Sequence, residues 1–434
     1  MIMKKRITLF ILSLCIAGIL QAQQPQQIAG QYIVVLKESS AKPVVKQQKK
    51  NDNREQKAKD NNEARQKGLA KVKEVRGKKG VSESSVLQDY ADVIVGFAAK
   101  LSDKQKSDLQ ADPDVEGVYP DFVVQLDPMN PEANPSDVGF NNQMPIDFNY
   151  ANHAGGPSQD NTFLPNPIIT AADYVGCFIT RAGGWVDGST KGTWIWILDT
   201  GINLTHPDLN VQTNATYAKS FIVGETVEDG YGHGTHCAGI AAAKYNGFGI
   251  VGVSAGAKVV PVKVLSNAGS GSWSAILGGV NHVAMYDIAG DVVNMSLGGY
   301  GYSNCESVNP SLTTAIRNLG YAGTYVCIAA GNNGNCTGGP LTLPGCINGT
   351  NVFTVGALNC DLTKASYSNG GTNVDFVQVG TSVYSTYKGG GYTTMSGTSM
   401  ATPVVAGIVH ARRGAPVNGG NIAFCGGTKP LARR

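Results

Sequence analysis

The chain has 434 residues, enough for two or three domains, and its formal net charge is only +3. So small a net charge excludes a chain built as a whole to bind nucleic acid or another polyanion. The charges are nevertheless uneven: Lys and Arg crowd residues 41–80, Asp and Glu are frequent in residues 81–150, and the remainder is close to neutral. This asymmetry indicates segments with different fates.

The first 22 residues have the pattern of a signal peptide. A basic start at residues 4–6 precedes an apolar run over residues 7–20, and Ala22 offers a small residue for cleavage. The apolar run is shorter than the ~20 residues of a membrane span, and no later segment is long and apolar enough to span a bilayer. We therefore expect an exported, soluble protein that keeps no membrane segment once the signal is removed.

Residues 28–126 predict a small α+β domain. Ser102 is suited to cap a helix over 102–110. The basic insert at 41–80 has little apolar periodicity, which predicts a solvated helix or a disordered tether rather than a polyanion-binding segment. Residues 127–165 are rich in Pro, Asn and Gly and predict an exposed linker that is open to cleavage. Strand-like runs within the small domain occupy 31–36, 93–97, 115–119 and 122–126.

Residues 166–434 alternate apolar runs with helical segments rich in small residues. Runs that are apolar on both faces are typical of buried parallel strands, so we predict an α/β fold, a three-layer sandwich with a mainly parallel sheet. Ligands of such folds bind beyond the carboxyl ends of the strands. The predicted strands are 194–198, 258–265, 291–295, 325–330 and 351–355, and the predicted helices are 233–243, 274–286, 311–319 and 399–411.

Eight cysteines follow Cys15, and an oxidising compartment would pair some of them. Cys336 and Cys346 bracket a loop rich in Gly and Pro, which makes them the best candidates for a bridge. We expect Cys237 to be a buried free thiol. The other pairings do not follow from the sequence.

Three short segments carry residues suited to nucleophilic catalysis. Asp199 closes an apolar run, where a buried carboxylate needs a partner such as a histidine, although an Asp at a strand end is often only a cap. His233 lies between two glycines at a predicted helix start and is suited to general-base chemistry. Ser399 lies at the start of a helix, where backbone N–H groups favour a developing oxyanion, although serine is also a common cap.

Two other kinds of site fit these segments less well. His233 and His236 are three residues apart and Gly234 follows the first, whereas a zinc-protease helix needs a spacing of four and a Glu, so we expect a structural role for His236. A lipase-type nucleophile elbow has glycine two residues after the serine, where this chain has Ala401, which disfavours an esterase.

Taken together, the segments ILDTGI (197–202), YGHGTHCAG (231–239) and MSGTSMATP (395–403) resemble those of subtilisin-like serine proteases, the subtilases, and most closely their proteinase K-like branch. The order Asp, His, Ser is that family's order. The resemblance covers residues 170–412, and residues 30–126 resemble the family's inhibitory propeptide. It implies a subtilisin-like catalytic domain over 166–434, a propeptide over 28–126 and a processing site within 127–165.

The resemblance also assigns roles. Ser399 would attack the scissile carbonyl, His233 would move the proton, Asp199 would orient His233, and Asn332 in the segment AAGN (329–332) would donate to the oxyanion. Two predicted pocket walls and a predicted edge strand are built from small residues, which implies broad specificity with an apolar or aromatic leaning, unless these Gly-rich loops are only turns. The walls are Ser296, Leu297, Gly298 and Ala329, Ala330, Gly331, and the edge strand is Gly269, Ser270, Gly271.

No cofactor is expected for catalysis. The family often binds calcium for stability, and Asp375 with the carbonyls of Thr350 and Val352 resembles one such site, although a surface Asp is usually only solvated. Only about twenty residues follow Arg413, fewer than subtilases usually carry there, which puts the stability of the last layer in question.

The sequence therefore predicts a secreted serine endopeptidase, extracellular or periplasmic, that works through an acyl-enzyme and is made as an autoprocessed zymogen. We expect a monomer whose partners are protein or peptide substrates and its own propeptide, an intramolecular inhibitor, and we expect no nucleic-acid partner. The alternatives are a secreted serine esterase and a catalytically silent peptide-binding relative.

Overall fold

The structure, a computed structural model, describes residues 25–45, 48, 53–126, 173–302, 308–336 and 341–434. The predicted signal peptide and the predicted linker at 127–165 lie outside these residues. None of the helices within the described ranges combines the length and the apolar character that crossing a membrane requires.

The N-terminal part is an antiparallel sheet covered by helices. Its elements are β1 (Gln27–Leu36), α1 (Arg54–Asp60), α2 (Asn62–Lys78), β2 (Val86–Tyr90), β3 (Gly96–Lys100), α3 (Asp103–Gln110) and β4 (Val115–Gln125). The strand order is β4, β1, β3, β2, and Val34, Val72, Phe97 and Leu109 are fully buried between sheet and helices. Ser102 caps α3 through a capping box, as predicted.

Two strand predictions in this part need correction. The run predicted at 93–97 becomes a strand only from Gly96, and β2 was not predicted at all. The amides of Ala91, Asp92 and Val93 all donate to the side-chain oxygen of Asn281, which bends the chain there and delays the strand. The runs at 115–119 and 122–126 form one continuous strand, β4.

The basic insert is ordered as α1 and α2 rather than as a tether. Three of its arginines are buried, which a solvated helix would not show. Arg65 lies 2.6 Å from a carboxylate oxygen of Asp92, and Arg76 lies 3.2 Å from Asp89. The charges of the insert therefore serve internal ion pairs, which apolar periodicity could not reveal.

The larger part is built on parallel strands. Its elements are α4 (Cys177–Ala182), β5 (Val186–Asp187), β6 (Trp194–Asp199), β7 (Asn210–Val211), β8 (Lys219–Ser220), α5 (His233–Ala242), β9 (Ser254–Ala255), β10 (Lys258–Lys263), β11 (Ser270–Ser272), α6 (Trp273–Tyr286), β12 (Val292–Met295), β13 (Gly299–Tyr302), α7 (Pro310–Ala322), β14 (Tyr325–Ala329), β15 (Leu341–Leu343), β16 (Val352–Leu358), β17 (Phe376–Val379), β18 (Val383–Thr386), β19 (Tyr392–Met395), α8 (Thr398–Arg412), β20 (Val417–Phe424) and β21 (Gly427–Arg433).

The main sheet has the order β20, β21, β17, β16, β14, β12, β6, β10, β7. The contacts from β10 through β6, β12, β14 and β16 to β17 are parallel. Alternate residues of β6 face opposite layers: Trp196 and Leu198 pack with α6 and α7, whereas Ile195 and Ile197 pack with α5 and α8. The predicted three-layer α/β sandwich is confirmed, with β20 and β21 as a C-terminal hairpin that lies beside β17.

The cysteines pair differently from the prediction. Cys336 is bonded to Cys425 in the C-terminal hairpin, so the predicted bridge from Cys336 to Cys346 is wrong. A second disulfide joins Cys177 to Cys360, and Cys346 is also disulfide-bonded. Cys237 is buried and free, as predicted, and Cys327 shares that state.

Candidate active site

The candidate catalytic residues converge at the carboxyl edge of the parallel sheet. Asp199 ends β6, Ser296 follows β12, and Asn332 follows β14, so three neighbouring strands deliver polar groups to one edge. His233 begins α5, and Ser399 lies in the first turn of α8. This edge is where an open parallel sheet places its ligands.

Asp199 and His233 form a buried pair. Nδ1 of His233 lies 2.8 Å and 3.0 Å from the two carboxylate oxygens of Asp199, and both side chains are almost inaccessible. Burial opposes the charged imidazolium, but the adjacent Asp199 carboxylate outweighs it, so the pKa of His233 lies well above its ordinary value. In the neutral ring Asp199 keeps Nδ1 as the donor, and it stabilises the imidazolium that forms once the ring takes up a second proton.

Glycines on both sides of His233 allow this close approach. Gly232 has φ of +109°, a conformation that side chains rarely adopt. A methyl group on Gly234 would lie 2.1 Å from the carbonyl oxygen of Gly201. The Gly-His-Gly sequence is thus required for α5 to start against the end of β6.

Ser399 lies against Ser296 and Cys237. Its hydroxyl donates to the carbonyl oxygen of Ser296 at 3.3 Å, and its own carbonyl accepts from Ser296 Oγ at 2.8 Å. The thiol of Cys237 contacts the Ser399 carbonyl at 3.5 Å and His233 Nδ1 at 4.0 Å, so these two residues flank a single side chain. Within the described residues the Ser399 hydroxyl donates to Ser296 rather than to the imidazole.

Asn332 is oriented by the residue that precedes the serine. Its side-chain oxygen accepts from the backbone N of Thr398 at 2.8 Å and from the Thr398 hydroxyl at 2.9 Å. A methyl group built on Gly397 would lie 3.6 Å from Asn332 Nδ2 and 3.6 Å from the Ser399 backbone N. Two N–H donors therefore border one small space beside Ser399, which suits a developing negative charge.

A small cavity lies beside Ser399, and the chain of the N-terminal part enters it. The end of β4 pairs antiparallel with β11, with Gln125 opposite Ser270 and Val124 opposite Gly271. The amide of Leu126 donates to the carbonyl of Gly269 at 2.9 Å. The predicted edge strand thus already holds a peptide segment by main-chain hydrogen bonds.

Most predicted pocket residues line this cavity, together with two residues that the sequence analysis missed. Ala330 does not line it, because its backbone is bonded to Val355 and Asn369 in the sheet. Ser296 instead supports Ser399 from behind. The lining residues are Gln125, Leu126, Leu297, Gly298, Ala329, Gly331, Asn332, Thr342, Thr398 and Ser399, of which Thr342 and Thr398 were not predicted.

Thr342 comes close to this cavity only through tertiary folding. Its hydroxyl accepts from Asn369 Nδ2 at 3.0 Å, and Asn369 also bonds the Ala330 carbonyl. No sequence signal could have found it. Thr398, by contrast, directly precedes the serine, and its position at a helix start could have suggested a polar role.

The predicted calcium ligands lie around the start of β16. The carboxylate of Asp375 accepts from the backbone N of Thr354 at 2.8 Å, and burial raises its pKa. Thr350 and Val352 flank the turn that enters β16. Lys429 from β21 donates to the carbonyl of Val374, next to Asp375, so a protein cation already lies nearby.

A transition-metal centre is poorly supported. Asp199, His233 and Cys237 place one ligand atom each within 4.8 Å of one another, but burial raises the pKa of the Cys237 thiol, and a protonated thiol is a poor ligand. Nε2 of His236 bonds the carbonyl of Thr393 at 3.1 Å, and burial lowers the pKa of His236 to about 3. His236 is therefore a neutral, buried side chain bonded to the β18–β19 hairpin.

Comparison with known proteins gives two family matches. Residues 190–411 match the family described as the subtilase family, and residues 31–127 match that described as peptidase inhibitor I9. The alkaline serine protease ver112 of Corniculantispora psalliotae is 30% identical over 96% of this chain and 89% of its own. Subtilisin DY of Bacillus licheniformis is 39% identical over 52% of this chain and 77% of its own, and the cuticle-degrading protease of Metarhizium anisopliae is 40% identical over 51% and 54%.

Proposed function

This chain belongs to the subtilase family and is a serine endopeptidase of the proteinase K-like kind, and we propose that it cleaves extended protein substrates through a triad of Asp199, His233 and Ser399. The observation that carries the proposal is the buried hydrogen bond from His233 to Asp199, with the Cys237 thiol in contact with both His233 Nδ1 and the Ser399 carbonyl. Subtilases need no cofactor for this chemistry.

The chemistry follows from the contacts. Because Nδ1 of His233 donates to Asp199, Nε2 is the atom left to accept the Ser399 proton once the hydroxyl turns from the Ser296 carbonyl. The Ser399 oxygen then bonds the scissile carbonyl carbon, and the imidazolium gives its proton to the leaving amine. Water hydrolyses the resulting acyl-enzyme by the same proton transfers.

Asn332 is the proposed side-chain donor to the tetrahedral oxyanion, alongside the backbone N of Ser399. The two donors border the same space beside Gly397, and Thr398 holds the amide in that orientation. Fixed donors of this kind stabilise the transition state without reorganisation during the reaction.

A labelling experiment separates this function from its alternatives. Fluorophosphonate should label Ser399, the labelled protein should lose casein hydrolysis, and Ser399→Ala should be neither labelled nor active. Labelling with ester hydrolysis but no casein hydrolysis would indicate an esterase. A folded, unlabelled and inactive wild type would indicate a silent peptide-binding relative.

We propose broad specificity with an apolar or aromatic preference. The cavity walls formed by Leu297, Gly298, Ala329 and Gly331 carry little side-chain bulk and no charge. Main-chain pairing to the Gly269–Gly271 edge recognises any extended peptide. Peptide-library profiling of the mature enzyme tests this, and a strict requirement for a charged side chain would contradict it.

The inhibitor domain implies intramolecular inhibition, and we propose that the enzyme removes this domain by itself. The segment up to Leu126 lies in the cleft, so the chain that follows is delivered to Ser399. We expect cleavage between residues 126 and 161, within a linker at 127–165. Ser399→Ala precursor should stay intact, whereas normal trimming of that variant would assign the cut to another protease.

We further propose a signal peptide at 1–22, a propeptide at 28–126, a catalytic domain at 166–434 and secretion as a monomer without nucleic-acid partners. The family matches at 31–127 and 190–411 support the two domain assignments. N-terminal sequencing and light scattering of the exported protein test them together. A mature N-terminus before residue 127, or a stable dimer, would contradict them.

A structural calcium ion at Asp375 and the carbonyls of Thr350 and Val352 is the last part of the proposal. A partly buried carboxylate and backbone carbonyls at the entry to β16 are the hard oxygen ligands that Ca²⁺ prefers. Calcium should raise the Tm of the Ser399→Ala protein and not that of its Asp375→Asn derivative. An equal response of both proteins would rule out this site.

A further inference from the structure

The propeptide also contacts the catalytic domain through α1, far along the chain from the segment that enters the cleft. Arg54 in α1 forms two bonds to the carboxylate of Asp291, of which the Nη2 to Oδ1 bond measures 2.7 Å. The same guanidinium donates to the carbonyl of Tyr286 at 3.2 Å and lies 3.7 Å from the ring centroid of Trp194. Lysine cannot replace arginine in a contact that combines bidentate pairing with stacking on an aromatic ring.

Lys57, one turn further along α1, also binds the C-terminal end of α6. Its ammonium pairs with the carboxylate of Asp287 and donates to the carbonyls of Ala284 (2.9 Å) and Asp287 (3.0 Å). These carbonyls, with that of Tyr286, belong to the C-terminal end of α6. Two propeptide cations thus satisfy the end of α6 where the helix dipole favours positive charge.

Both acidic partners are inaccessible while α1 is in place. Asp291 and Asp287 have 0% exposed side chains, and Arg54 and Lys57 have 8% and 12%. After α1 leaves, Asp291 keeps its bonds from the backbone N of Trp194 and from Trp196, and Asp287 keeps its bond from Thr324. Removing only the cations therefore leaves buried carboxylates undercompensated, which weakens the contact strongly.

α6 connects this contact to the cleft. The helix starts at Trp273, directly after the edge strand β11. Around its first turn the propeptide bonds Ser274 through Asp121 and Tyr90, whereas α1 binds its last turn. Fourteen helical residues span about 21 Å. Asn281 in the middle of α6 accepts from the amides of residues 91–93, so the α1 contact extends the propeptide interface to the end of the helix farthest from the cleft.

We propose that α1 is an additional, electrostatic anchor that slows the release of the cleaved propeptide from this enzyme through Arg54 and Lys57. The partner surface is the end of α6 formed by Asp287, Asp291 and the face of Trp194. This inference rests on the proposed self-cleavage.

Purified full-length precursor tests the anchor when two events are timed in one sample. Gel electrophoresis times the cut after residue 126, and hydrolysis of a fluorogenic peptide times the appearance of activity. In Arg54→Gln/Lys57→Gln the cut should keep its half-time within twofold, and the delay between cut and activity should shorten about tenfold, since losing one side of a buried charge pair mainly raises the dissociation rate. Lys67→Gln is the matched control, because Lys67 is exposed and, among the described residues, pairs with Glu63 of its own helix.

A delay shortened less than threefold in the double variant would overturn the anchor. Absence of any cut in the wild type would instead refute self-cleavage, so the two failures are distinguishable. If the double variant yields no folded precursor, Lys57→Gln alone is compared with Lys57→Arg, which retains the charge, and the same threefold criterion applies.

Discussion

At the level of single residues, the catalytic groups depend on neighbours for their orientation. Asp199 fixes the ring of His233, Thr398 fixes the amide of Asn332, and Ser296 accepts the hydroxyl of Ser399. Each of these partners is buried, so water cannot substitute for it without rearrangement. The proposed oxyanion space is therefore preorganised before substrate arrives.

Asn332→Ala tests this preorganisation. Loss of a fixed donor should lower kcat about 10²–10³-fold with little change in KM, because the bond forms mainly in the transition state. Steady-state kinetics on a peptide substrate measures both constants. Asn333→Ala, at an exposed neighbouring position, is the control, and a rise in KM at unchanged kcat would assign Asn332 to substrate binding.

The site residues that could be predicted from the sequence are those that lie in a recognisable local sequence pattern. His233 stands between two glycines and Ser399 starts a helix, and both signals are local. Thr342 lies at the cavity only because of tertiary folding, and the same is true of the pairing of Cys336 with Cys425. A rule based on nearby cysteines therefore chose Cys346 wrongly.

At the level of elements, α8 links the nucleophile to a buried histidine on its last turn. Ser399 lies in the first turn and His410 near the end of the helix. Nδ1 of His410 accepts from the Ser254 hydroxyl at 2.7 Å, and Nε2 donates to the carbonyl of Thr193 at 3.0 Å. Burial favours the neutral ring by lowering the pKa of His410, so α8 is attached to the sheet by a group that titrates.

The fold should therefore lose stability on acidification. Burial lowers the pKa of His410 to about 4, below its ordinary value of 6.5, so the folded state binds fewer protons than the unfolded state between these values. Stability from this group is complete above pH 6.5 and is lost as the pH falls through 4. In Ser399→Ala precursor, adding His410→Gln should reduce the slope of unfolding free energy against pH by about 1.4 kcal/mol per unit between these limits.

Urea unfolding at a series of pH values measures that slope. Arg412→Gln, an exposed change on the same turn, should leave it unchanged. His236 and His282, with pKa values lowered to about 3 and about 4 by burial, contribute in the same direction and remain in both proteins. An unchanged slope in His410→Gln would show that the ring is already charged in the fold.

Element prediction succeeded where the apolar pattern was the deciding force. The five predicted strands, β6, β10, β12, β14 and β16, are buried on both faces, and their predicted and observed bounds agree to within three residues, whereas β7, β17, β20 and β21 of the same sheet were not predicted. It failed at 93–97, where the side chain of Asn281 captures three backbone amides from another domain. It also failed to foresee that the basic insert folds, since its order comes from Asp92 and Asp291 elsewhere in the chain.

At the level of the whole molecule, inhibitor and catalytic parts share one hydrophobic core. Ile33, Tyr90 and Ile94 of the first pack with Trp273 and Ile276 of the second in one buried cluster. A cut in the chain after residue 126 removes none of these contacts. The cleaved propeptide should thus stay bound to the catalytic part, and its dissociation rate should determine how long the enzyme stays inhibited.

The C-terminal hairpin is held to the rest of the molecule by a disulfide as well as by non-covalent contacts. Cys425 in its turn is bonded to Cys336, 89 residues away in sequence, and Ala432 accepts from Gln378 in the adjacent strand. β20 is largely exposed, and the hairpin buries apolar surface through Phe424, Leu431 and Ala432. The disulfide should add substantially to this attachment.

Removing this disulfide tests that conclusion. Cys336→Ser/Cys425→Ser in the Ser399→Ala precursor should lower the free energy of unfolding by about 4.5 kcal/mol, the loop-closure entropy of a loop of this length. Urea denaturation measures the change, and Ala423→Ser at an exposed position of the same hairpin is the control. A loss below about 1 kcal/mol would contradict this prediction. It would mean that the disulfide contributes little to the free energy of unfolding and that non-covalent contacts hold the hairpin.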